Sequence, residues 1–160
     1  MAVDVSLWRL AKDTPKYRAD DLSGGGAAAF GGRWNSKGNH VVYTSQTIAL
    51  ASLESLAHIG SDIHARNRFL VEVSVPIGVW KNRQTITPGG LPATWVAEPP
   101  GTGTTDFGDS WIAGNTSALL LVPSVIIHEE FNVLINPAHP DARKIRARVI
   151  RPYVFDPRFK

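Results

Sequence analysis

The chain has 160 residues, 17 Lys and Arg against 14 Asp and Glu, a formal net charge of +3 and no cysteine. That length suits one domain burying roughly two-thirds or more of the surface its unfolded chain exposes, and the lack of cysteine excludes a disulfide framework, a thiolate zinc site and a cysteine nucleophile while agreeing with a reducing compartment. No apolar run approaches the roughly 20 residues that cross a bilayer, so the expectation is a soluble, unprocessed, cytoplasmic domain over residues 1–160 with no membrane association.

Residues 5–10 form a short apolar run, and 13–32 read as a polar, then Gly/Ala-rich loop. Residues 41–45 alternate like a strand, and Ser45 is placed to cap a helix over 46–59. On a 3.6-residue period Ala49, Leu50, Leu53, Leu56 and Ala57 share one arc, the expected core face, with Glu54 at its edge. RFLVEVSVP, residues 68–76, is a strong strand. Residues 81–110, full of Gly, Pro and Thr, read as a long surface excursion around short pieces of structure. SALLLVPS and EEFNVLIN then give two strands a few residues apart, followed by a short helix after Pro137 and a last strand over 146–154. Several strands with two or three helices, not strictly alternating, predict an α+β domain rather than a doubly wound parallel sheet.

Charge is unevenly spread. Residues 143–160 hold Arg143, Lys144, Arg146, Arg148, Arg151, Arg158 and Lys160 against Asp156, a surplus of six that leaves the rest of the chain near −3. Arg146 and Arg148 alternate with Ile145, Ala147 and Val149, which puts the arginines on one side of a strand. The ordinary reading is a solvated edge. A non-catalytic alternative is a basic module holding nucleic acid or an acidic protein, but no aromatics interleave with the cations before Tyr153 and Phe155 and no nucleic-acid fold signature accompanies them.

Three familiar motifs fail on context. Gly24, Gly26 and Ala29 satisfy G-x-G-x-x-A but follow the polar stretch YRADDLS rather than a buried strand, so a close-approach loop replaces the dinucleotide-fold reading. His128-Glu129-Glu130-Phe131-Asn132 begins like H-E-x-x-H and ends in asparagine, which removes the second imidazole a zinc helix needs. Ser124 follows Pro123 without the G-x-S-x-G turn of an exposed nucleophile. No metal site is expected.

What remains is a set of polar residues in or beside apolar elements: Arg33, Tyr43, Glu54, Ser124 and Asn132. Each alone has an ordinary structural reading: a loop cation, a half-buried strand residue, a helix-flank acid meeting His58 at i+4, a turn residue and a strand-edge amide. Together they resemble something specific. LSGGGAAAFGGRWNSKGNHVVYTSQTIALASLESLAH, the later VPSVIIHEEFNVLINPAHPD and the opening LWRLAK are similar to the RES-domain family, named for an arginine, a glutamate and a serine. Those segments cover the chain almost from end to end. The family's arginine falls on Arg33 within GGRWN, its tyrosine on Tyr43, its glutamate on Glu54, its serine on Ser124 and its asparagine on Asn132.

The resemblance implies a bacterial toxin with a core similar to ADP-ribosyltransferases and with NAD+ as substrate, not as a resident cofactor. Residue chemistry agrees with that implication. Breaking the nicotinamide–ribose bond passes through an oxocarbenium-like state and releases a neutral ring, so a carboxylate that stabilises developing positive charge is needed and a general acid is not; Glu54 takes that role. Arg33 would fork onto the diphosphate, with Gly32 and its neighbours clearing space and donating backbone N–H groups. Tyr43 would offer an aromatic face to nicotinamide or adenine, Ser124 and Asn132 would fix the carboxamide or ribose, and Trp34 would line the same cleft unless it is a structural indole. Water or phosphate as acceptor gives NAD+ destruction, the favoured outcome, and a protein side chain gives a covalent modification. The implied partner is a cognate antitoxin, a helix-turn-helix DNA-binding protein whose C-terminal part blocks the toxin cleft in a hetero-oligomer, with no direct nucleic-acid contact by this chain.

Overall fold

The computed structural model describes residues 3–60, 63 and 66–159. Seven strands, β1 (Val5–Lys12), β2 (Val42–Ser45), β3 (Arg68–Val75), β4 (Gln84–Thr85), β5 (Leu119–Pro123), β6 (Phe131–Ile135) and β7 (Arg146–Pro152), form one sheet in the order β4-β5-β6-β2-β1-β3-β7. Only β4 and β5 pair in parallel; the other five pairings are antiparallel. The predicted α+β domain with a mixed, largely antiparallel sheet is therefore what forms. Four helices accompany it: α1 (Gly25–Phe30), α2 (Ile48–Ile59), α3 (Ile77–Lys81) and α4 (Thr102–Gly114). Among the described residues no helix is long and apolar enough to cross a membrane.

The strand period of two sorts the apolar side chains into two cores. β5 is buried on both sides, so Leu119 and Leu121 join Leu7, Val42, Val71, Val73, Val75, Val133 and Ile135 in one core, while Leu120 and Val122 join Trp34, Val41, Trp111 and Leu134 in the other. A strand covered on both faces reads as an unbroken apolar run, as LLLVP does. β1 pairs with β3 over its whole length but meets β2 at one register pair, Trp8 opposite Ser45. The sheet thus opens into two blades at the β1–β2 boundary, and a cleft lies at the opening.

Four expectations are corrected. The stretch 13–32 is not all loop: α1 forms within it, with Gly24 at φ 73 as its N-cap. Ser45 ends β2 and does not cap α2; Thr47 does, its hydroxyl accepting from the Leu50 amide at 3.1 Å. The inward face of α2 holds Leu50 and Ala51, whereas Ala49, Leu53 and Ala57 are exposed. An arc drawn through apolar identities alone missed this, because the face turned inward includes a carboxylate that finds hydrogen-bond donors there. Finally, 81–110 contains most of a 13-residue helix, α4. Its glycines and threonines are poor helix formers, and packing overrides them: a Cβ on Gly108 would sit 1.8 Å from the Trp34 carbonyl oxygen, and Trp111 enters the second core.

The short helix expected after Pro137 forms as a 3₁₀ helix over Pro140–Lys144, and the C-terminal strand follows it, ending at Pro152 rather than at 154. Arg148 lies opposite Glu72 and pairs with it at 3.2 Å, and Arg146 lies opposite Ser74, so both arginines share one side of the strand.

Candidate active site

Glu54 is the centre of the site because α2 turns it toward β5 and β6, one turn beyond the buried Leu50. Its Oε1 accepts from Ser124 Oγ and from Asn132 Nδ2, each at 2.7 Å. Asn132 Oδ1 in turn accepts from Ser45 Oγ at 2.6 Å, a consequence of the register that sets Ser45 opposite Asn132. Ser124 Oγ also accepts from the amides of Ile126 and Ile127 at 3.1 Å each. Linked donors of this kind polarise one another and fix the carboxylate's orientation. Among the described residues both hydrogen bonds to the carboxylate fall on Oε1, and Oε2 accepts none. The ordinary reading of Glu54 as a helix acid meeting His58 at i+4 holds only for the backbone: His58 Nδ1 bonds the Glu54 carbonyl at 2.8 Å, while the carboxylate turns to Ser124 and Asn132.

Tyr43 projects from β2 on the same side as Ser45. Its hydroxyl donates to Asn35 Oδ1 at 2.7 Å and accepts from the Trp34 amide at 3.1 Å. Burial is the main influence on the phenol and pushes its pKa well above the ordinary value, so it works as a neutral donor. A Cβ on Gly32 would come within 2.7 Å of that hydroxyl; glycine at 32 makes room for Tyr43 as well as for a ligand. Asn35 completes the loop, donating to the carbonyls of Ala27, Ser36 and Asn39. Trp34 is 3% exposed and lies in the second core, so the structural reading of the indole prevails, though an edge reaches the cleft wall.

Arg33 stands differently from expectation. Its Nη1 donates to the carbonyls of Trp95 at 3.0 Å and Ala97 at 2.8 Å, and Nη2 pairs with Glu98 Oε2 at 2.8 Å. The guanidinium thus holds residues 95–98, which are not a free excursion but one wall of the site. Trp95 further packs on His128, ring centroids 5.1 Å apart, in the turn between β5 and β6.

One cleft of about 880 Å³ is lined by Gly32, Arg33, Trp34, Tyr43, Glu54 and Asn132 together, within the range of about 300–1,000 Å³ usual for small-molecule sites. Ser124 does not line it; fully buried, it reaches the site only through Glu54. Many of the lining residues are not among the predicted site residues, and two of them, Glu98 and Arg9, bear on the chemistry. Glu98 lay in a segment without a motif. Arg9 of β1 is half-buried, and burial lowers its pKa while Asp21 raises it. Its signal was available: in VSLWRLAK the alternation places Arg9 on the side of Leu7 and Ala11, both buried, and a cation on the inward side of a strand asks for an anion.

Residues 6–156 match the RES domain. The chain belongs to the RES-domain family. A relative named Prs ADP-ribosylating toxin, from Sphingobium sp. (strain YBL2), is 51% identical over 153 residues, covering 96% of this chain and 95% of its own. Another, named Toxin Res, from Yersinia enterocolitica, is 34% identical and covers 91% of this chain and 94% of its own. The fold of this RES domain is similar to a chain in the crystal structure of the M. tuberculosis MbcT–MbcA toxin–antitoxin complex, with TM-score 0.69 and 17% identity, covering 94% of this chain and 86% of that one. The RES domain here is thus nearly the whole chain; Arg33 and Glu54 line the cleft at the β1–β2 opening, and Ser124 lies behind it, bonded to Glu54.

Proposed function

We propose that this RES domain is the toxin of a toxin–antitoxin pair, working in the cytoplasm by cleaving NAD+ at the nicotinamide–ribose bond. The observation that carries the reading is the convergence of one oriented carboxylate, Glu54, with several cations, Arg9 and Arg33 among them, on a single cleft. A dinucleotide has the matching chemistry: a ribose that becomes cationic as its C1′–N bond breaks, and a diphosphate. Oε2 of Glu54 would take the ribose hydroxyls while its charge stabilises the oxocarbenium-like centre. The electron pair of the broken bond stays on the nicotinamide nitrogen, and the acceptor oxygen adds to C1′ and loses its proton. Arg9, desolvated by burial and in no ion pair among the described residues, with Asp21 acting on it only through its field, is the stronger candidate for the diphosphate. Arg33 contributes through Nη2, and Tyr43 and Asn132 shape the wall beside the ring and ribose.

Transfer to a protein side chain is the second reading, favoured by the name of the 51% identical relative. The two share every step up to the acceptor. Incubating the purified protein with NAD+, alone, with phosphate and with cell extract, and weighing the ADP-ribosyl product by mass spectrometry separates water, phosphate and protein as acceptors. Unchanged NAD+ in all three would refute both readings. The partner in this proposal is a helix-turn-helix antitoxin whose C-terminal part fills the cleft, supported by the similarity to a chain solved in a toxin–antitoxin complex.

A further inference from the structure

The bonds around Arg33 are asymmetric. Nη1 is held by two backbone carbonyls, those of Trp95 and Ala97, whereas Nη2 meets one carboxylate, Glu98. The arginine side chain is 15% exposed and that of Glu98 is 76% exposed. Both line the cleft, together with Gly32 and Glu54. From this geometry we infer that Glu98 is a built-in competitor for the anionic ligand, occupying the open side of Arg33 and setting the affinity of the cleft for phosphate oxygens. The inference rests on the NAD+ reading above, because it takes the diphosphate as the group that displaces Glu98.

A carboxylate so exposed is screened and weakly held, so its displacement costs only a few-fold in affinity. Once Glu98 leaves, the two carbonyls still grip Nη1 and keep Nη2 aimed into the cleft. Anchoring and recognition are thus divided between the two terminal nitrogens. While Glu98 is in place it also cancels the arginine's field, which lowers the pull of the cleft on a dianion at long range. A purely structural role for Glu98, as a strut holding residues 95–98 against the arginine, makes the opposite prediction: removing it loosens Arg33 and weakens binding.

The test is calorimetric titration of the full chain with ADP-ribose, for the parent, Glu98→Gln and Glu98→Ala, at low and physiological salt. Both variants are expected to bind about threefold tighter than the parent at low salt, the gap narrowing as salt screens the carboxylate. Glu98→Gln decides the matter if Glu98→Ala disturbs the loop, since its amide oxygen still accepts from Nη2 without the charge. Equal or weaker binding by Glu98→Gln, with the parent binding normally, overturns the inference and leaves the NAD+ reading intact. Absence of ADP-ribose binding by the parent and both variants overturns the NAD+ reading itself, and the inference with it.

Discussion

Glu54 shows how a carboxylate is kept inside a cleft wall. Ser124 and Asn132 both donate to Oε1, so the carboxylate is oriented through one oxygen, and in the proposed mechanism the other meets the substrate. Glu54→Gln therefore separates stability from chemistry. The amide oxygen can accept both bonds, so the melting temperature should stay within a few degrees, while NAD+ turnover should fall by on the order of 10²–10³, the usual loss when a preorganised electrostatic group is removed. Turnover within tenfold of the parent, in a variant that melts normally, would mean the carboxylate does not stabilise the reacting centre. Which residues come together was legible in the sequence through the motifs GGRWN and VPS and the helix acid between them: Arg33 and Glu54 line one cleft, and Ser124 bonds Glu54. How they do so was not: Ser124 turned out to act through Glu54, and Arg33 was already bonded to a segment 62 residues away. Such partnerships depend on tertiary contact, which no local pattern encodes.

At the scale of elements, the site depends on α4, the helix the sequence reading missed. Its composition argues against a helix, and what holds it is contact with the GGRW loop: Gly108 against the Trp34 carbonyl, Thr105 Oγ1 donating to the Arg33 carbonyl at 3.2 Å, and Asp109 accepting from Ser36 and Asn39. Gly108→Ala forces a methyl into that carbonyl and should cost roughly 1–3 kcal/mol or more, read as a lowered denaturation midpoint with a parallel loss of NAD+ turnover as the loop shifts. The Asp109 carboxyl tests the same contact by pH. Burial opposes its ionisation, yet the bonds from Ser36 and Asn39 prevail and hold its pKa below the ordinary value of 3.8. A depressed folded-state pKa makes its contribution present above the unfolded value and lost as pH falls through the folded one. The melting temperature of the parent should therefore drop more steeply below pH 4 than that of Asp109→Asn, and superimposable acid limbs would remove Asp109 from the account. Most of the strands and the existence of α2 were legible because apolar runs mark them, though not β4 or the inward face of α2; α4 was not, because a glycine chosen for close approach looks like a loop glycine.

For the whole molecule, the decisive feature is the opening between the blades β4-β5-β6-β2 and β1-β3-β7. Its lining runs from Trp8 and Arg9 near the start of the chain through Gly32, Glu54 and Glu98 to Asn132 near the end. A ligand there touches nearly every segment that folding must bring together, so binding and global stability are linked. At a hundredfold excess over its Kd a ligand specific for the folded state adds about 2.7 kcal/mol, and at about 2–4 °C per kcal/mol for a chain of this size ADP-ribose should raise the melting temperature by about 5–10 °C. The source of that shift can be apportioned. If Arg9, the half-buried cation on β1, is the main anchor for the diphosphate, Arg9→Gln should abolish most of the rise at the same ADP-ribose concentration, while Glu54→Gln should keep much of it, because an amide can still bond the ribose hydroxyls and the diphosphate contacts are untouched. Thermal melts of the three proteins with and without ADP-ribose give the comparison directly. A full shift in Arg9→Gln would move the anionic anchor away from β1 and onto Arg33, and with it the polarity in which the dinucleotide lies across the two blades.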